Sequence, residues 1–94
     1  MKKYWLSFCD PDLPNGQQFL GVALVPAEDF IDAIQRSRRL GCNPGGEVRV
    51  MELPRGFNPP LEFVGRLLDR AGVERLEATG WSSEYGADHQ TAPC

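Results

Sequence analysis

The chain predicts an α+β fold, a two-layer β-β-α-β-α sandwich, and three observations predict it. Two β-type runs, residues 3 to 9 and 17 to 25, flank a segment dense in turn formers. Two later stretches place apolar residues at helical spacing, and a third β-type run, Glu47 to Leu53, separates them. The bulk numbers agree with one core: 94 residues, 41% hydrophobic and 24% charged, are the length and makeup of a single globular domain.

In the first strand Tyr4, Leu6 and Phe8 alternate with Trp5, Ser7 and Cys9. Asp10 to Gly16 stops it, because Pro11 and Pro14 cannot donate to a ladder and Asn15-Gly16 tolerates the positive φ of a tight hairpin turn. The second strand is apolar on both sides, Leu20, Val22 and Leu24 against Phe19, Gly21, Ala23 and Val25. A half-solvated strand alternates instead, so each face needs a cover. Helices supply one; the C-terminal tail or a second molecule supplies the other.

Pro26 starts the first helix, which runs to about Leu40 with Ala27, Phe30, Ile31 and Ile34 inward. Glu28 and Asp29 open it and Arg36, Arg38 and Arg39 close it, an order that opposes the helix dipole and explains the arginines without a ligand. Gly41 suits a left-handed C-terminal cap, with Cys42 folding back on the last turn. Val48 and Val50 of the third strand face inward and Arg49 outward. After the loop from Pro54 to Pro60, a second helix spans about residues 60 to 71, with Leu61, Val64, Leu67, Leu68 and Ala71 inward, Glu62 paired to Arg66, and Gly72 as cap. Val73 to Thr79 reads as a short fourth, edge strand or an extended arm. The sum is a small mixed sheet of order 2-1-3, the fourth strand at its edge, with both helices on one face. Residues 1–79 form the domain and 80–94 a tail, flexible or docked.

A net charge of −3 opposes general nucleic-acid binding, which rests on a basic face. No stretch reaches the ~20 apolar residues of a membrane span, and the apolar run after Lys2-Lys3 ends at Ser7, too soon for a secretory leader. Cys9, Cys42 and Cys94, far apart and odd in number, read as free thiols in a cytoplasmic protein, with a Cys9–Cys42 disulfide as the weaker option.

Chain reversal after the first strand, followed by a helical return, brings two loops to one sheet edge. Together they carry Cys9, Asp10, Asp12, Asn15, Cys42, Asn43, Gly45, Gly46 and Glu47, the candidate binding residues. Each has a plainer duty: cysteine packs as a small hydrophobe, Asp10 and Asn15 close turns, and the glycines turn the chain. The Gly41 to Gly46 loop lacks the lysine and following helix of a phosphate loop, and the acidic loop lacks the length of a calcium loop. His89, the single histidine, lies in the tail, so pairing it with a cysteine requires the tail to cross the sheet edge. No catalytic residue, metal or cofactor is expected. Trp81 and Tyr85, with the Phe19 row, are the candidate partner-binding residues, since large aromatics near a terminus dock on their own domain or anchor a partner. The reading that follows is a non-catalytic module binding a protein partner or itself as a homodimer. The alternative is a small ligand-binding protein or thiol-dependent enzyme at the loop edge.

Overall fold

A computed structural model describes residues 1–54 and 59–79. Its elements are β1 (Lys2–Cys9), β2 (Phe19–Ala27), α1 (Phe30–Arg39), β3 (Glu47–Glu52), a single 3₁₀ turn (Leu61–Phe63), β4 (Leu67–Leu68) and α2 (Arg70–Ala78). The class is α+β. The sheet runs in the order β3-β1-β2-β4, and every strand pair is antiparallel. The expected 2-1-3 arrangement is therefore present, with a fourth strand beside β2. Since β2 and β3 both oppose β1, they point the same way, as a helical crossover requires; with β1 between them, no mixed ladder forms.

The layering differs from expectation. Tyr4, Leu6, Phe8, Ala23, Val25 and Ala27 pack with Ala33 of α1 and with Cys42 on one face of the sheet. Trp5, Val22 and Leu24 pack with Phe63, Leu68, Val73 and Leu76 on the other. The helices thus lie on opposite faces, and the two-sided apolar pattern of β2 is answered within the chain. Gly21 shows how close the second cover approaches: a Cβ there would stand 2.6 Å from Leu67 Cδ1 and 2.9 Å from the Leu68 carbonyl oxygen.

Three boundaries also move. Pro26 lies in β2, not α1, because Lys3 turns its backbone groups toward β3 and the prolyl nitrogen opposite it points away from β1. The helix begins where Asp29 caps it, accepting from the Asp32 N–H at 2.8 Å. Phe30 and Ile31, expected inside, are 58% and 56% exposed; Ala33 and Ser37 form the buried stripe. The helix expected over 60–71 is replaced by the 3₁₀ turn and β4, and 73–79, expected as a strand, is α2 with Asp69 as its cap. Gly65 breaks the earlier run at φ +74, and its N–H donates to Leu24, so the apolar residues around it serve the sheet edge. The presumed Glu62–Arg66 pair loses its helical spacing for the same reason.

The hairpin is wider than a two-residue turn. Asn15-Gly16 is central to a turn closed by the Gln17 N–H on the Pro14 carbonyl, within a loop spanning 10 to 18. A bulge follows: Phe8 pairs with Gly21 but Cys9 with Phe19, leaving Leu20 as the extra residue. This reverses the parity, so Phe19 packs with Val22 and Leu24 while Leu20 joins the opposite face. Among the described residues no helix is long and apolar enough to cross a membrane.

Candidate functional site

The two loops do share one end of the sheet. Cys9 of β1 pairs with Glu47 of β3 and with Phe19 of β2, and the Asp10 N–H donates to Gln18. A Cβ on Gly46 would collide with the Cys9 carbonyl oxygen, so only glycine allows the second loop to press on the first. This places Cys9, Asp10, Gly46 and Glu47 side by side.

Asp10, Asn43 and Cys42, however, spend polar atoms on local bonds. Asp10 accepts from the Asp12 N–H at 3.0 Å, closing its own turn. Asn43 donates to the Ser37 hydroxyl at 3.1 Å and accepts from the Gly45 N–H at 2.8 Å, tying the loop to α1. Asn15 is exposed at the loop tip. Cys42 donates its thiol to the Ser37 carbonyl, and its N–H bonds the same oxygen while Gly41, at φ +77, bonds Arg38, a complete helix-ending motif. Burial pushes the Cys42 thiol up, away from the thiolate a nucleophile needs.

Cys9 is disulfide-bonded, and Cys42 is a buried free thiol. Three free thiols were expected, and neither that nor a Cys9–Cys42 bridge holds. By alternation along β1, Cys9 belongs to the Trp5 face, whereas Cys42 packs on the Leu6 face, so a bridge would have to cross the sheet. Phe19, the expected partner anchor, packs partly buried against the second core with the Arg70 guanidinium 5.7 Å from its ring centroid. Trp81, Tyr85, His89 and Cys94 lie outside the described residues. Among those described, no group of three His, Cys, Asp or Glu residues is placed to hold a metal ion.

The arginines at the end of α1 are partly committed as well. Arg36 Nε lies 2.8 Å and Arg39 3.7 Å from the Asp32 carboxylate. The Glu28 N–H, foremost, and both guanidiniums hold that carboxyl below its ordinary range.

A different surface carries open hydrogen-bonding capacity. Among the described residues β3 is an edge strand, with β1 on one side only. The Leu53 N–H donates to the Lys3 carbonyl at 2.8 Å, which makes Lys3 and Leu53 a hydrogen-bonded pair. Alternation then gives Trp5–Met51 and Ser7–Arg49 the same status, and turns the N–H and C=O groups of Val48 and Val50 away from the sheet. The strand is decorated in two rows. Val48 and Val50 are half-buried against the α1 side, while Glu47, Arg49 and Met51 stand exposed on the other. The opposite edge, β4, is two residues long.

Sequence reasoning missed this edge as a site, although its signal was present: an order of 2-1-3 leaves the third strand with one neighbour. No family model, curated protein or solved structure matches the chain.

Proposed function

We propose that the protein is a non-catalytic protein-binding module that accepts an extended segment of its partner as an additional strand along β3. One observation carries the reading: Val48 and Val50 hold outward backbone donors and acceptors on a six-residue strand that is already braced by β1. An added strand would satisfy those groups, with side-chain pairs supplying selectivity. The partner surface is thus moved from the sheet face, which the chain covers with its own helices, to the sheet edge. Cys42, spent as a buried donor at a helix end, gives the thiol-enzyme alternative little to work with.

The test is selection of peptides from a random displayed library against the folded protein, followed by amide chemical-shift mapping. Selected peptides should perturb Val48 and Val50 first, and Val50→Pro should abolish their binding while leaving the fold intact. Peptides that map to the 9–16/41–47 loop edge, or none at all, would count against the reading.

A further inference from the structure

Resting on that reading, the charge pattern of β3 points to the chemistry of its occupant. We infer that the partner is an extended segment of a different protein carrying a carboxylate opposite Arg49, and that Arg49 keeps a second copy of this chain from taking the place.

Pairing register separates a second copy from a foreign strand. Two β3 strands related by a two-fold axis pair antiparallel, and the outward groups of Val48 meet those of Val50 in the other copy when the axis passes between the two Arg49 residues. That register uses every open group identified above. It also sets Arg49 directly against Arg49 at a close, non-hydrogen-bonded position, and like charges directly opposite each other destabilise a strand pair.

Neighbouring registers are poorer in another way. An axis at Val48 would set Glu47 against Arg49, but it carries the pairing into Gly45 and Gly46, whose φ values of +88 and +74 end the extended backbone. An axis at Val50 sets Val48 against Glu52, whose carboxylate stands 3.7 Å from the Lys2 ammonium; the pairing would press an ion pair over an apolar side chain.

A foreign strand has no such constraint. With an acidic side chain opposite Arg49 and apolar ones beside Val48 and Val50, it meets both rows of β3 at once, and the stem of Arg49 is left to lie along the exposed Met51. Charged residues on an edge strand also blunt indiscriminate pairing. Arg49 would do so while favouring one class of partner.

The experiment is a titration of the full chain, followed by amide shifts at millimolar peptide, with two blocked peptides of alternating valine and threonine. One carries a central glutamate and the other a central lysine. The glutamate peptide should perturb Val48 and Val50 and bind roughly two- to thirtyfold more tightly than the lysine peptide, less so in high salt. Arg49→Glu, on an exposed position that leaves the fold in place, should invert the preference. Equal binding of both peptides at β3 would overturn the charge assignment and leave strand acceptance standing. Failure of both to perturb Val48 and Val50 would remove the proposed function with it. Sedimentation of the wild-type chain as a dimer with Val48 and Val50 amides protected would make a second copy the occupant and overturn the inference.

Discussion

The Leu53 N–H rests 2.8 Å from the Lys3 carbonyl oxygen, and this bond fixes the orientation of the whole of β3. Slipping the phase by one residue would turn Arg49 and Met51 outward and hide Val48 and Val50 in the ladder. The interaction surface depends on that phase.

Hydrogen exchange reads it directly. Arg49 and Met51 amides, bonded to β1, should exchange at the rate of the sheet interior, whereas Val48 and Val50 amides should exchange near the rate of exposed backbone. Two-dimensional NMR after transfer to heavy water separates the four. Fast Arg49 and slow Val50 would reverse the assignment of the edge.

Proline substitution tests the same phase through stability. At Val50 the outward N–H has no ladder bond to lose, so Val50→Pro should cost no more than about 1 kcal/mol beyond Val50→Ala. At Arg49 the ring removes an interior bond and leaves a Ser7 acceptor without its donor, and the excess over Arg49→Ala should be about 2 to 3 kcal/mol. Denaturant unfolding of the four variants decides between the two positions.

Much of the first half of the fold is legible in the residues themselves. Alternating aromatics mark β1, glycine after a basic turn marks the end of α1, and Val48 and Val50 around Arg49 mark β3. Legibility fails where a local signal is overridden by a neighbour. Pro26 has the look of a helix start until the pairing of β2 shows that its missing N–H faces away from β1. Phe30 and Ile31 fit an inward stripe by spacing alone, but α1 docks through Ala33 and Ser37, and that choice of face leaves both exposed. The run from Leu61 to Leu68 satisfies helical periodicity, yet Gly65 and the need to pair with β2 divide it. The loop edge was visible as a neighbourhood, because topology sets it. That Asp10 and Asn43 are consumed by their own turns depends on side-chain placement, which spacing does not encode.

Gly45 and Gly46 separate two causes of glycine demand. Both have positive φ, at +88 and +74, but a Cβ on Gly45 meets nothing within 4 Å while one on Gly46 runs into the Cys9 backbone. Gly45→Ala should cost about 1 to 2 kcal/mol, the strain of a left-handed residue. Gly46→Ala should cost clearly more, because the loop must also lift from β1. Equal unfolding midpoints for the two would deny the close packing of the loops.

Cys42 should behave as a structural thiol. Desolvation raises its pKa, and its proton is directed at the Ser37 carbonyl. Maleimide labelling of the native chain near neutral pH should therefore be much slower than for an exposed model thiol, and should accelerate on unfolding. Labelling faster than the model thiol would revive a nucleophilic role for Cys42.

Acid sensitivity should run through Asp32. Its carboxyl accepts from the Glu28 N–H at 3.0 Å and from Arg36, and its pKa lies below the ordinary 3.8, chiefly through the Glu28 bond, with the Arg36 and Arg39 charges adding to it against a desolvation effect. A carboxyl whose folded pKa is depressed contributes stability that is fully present above its unfolded value and is lost as pH falls through the folded one. Glu77 acts in the opposite sense, pushed up by burial first and then by Glu74, so the wild-type curve alone mixes the two. The difference between wild type and Asp32→Asn isolates the first: the variant should melt at a lower temperature near pH 7, and the gap should close below about pH 4. A gap that stays constant down to pH 2 would mean that the charge on Asp32 contributes nothing to the start of α1.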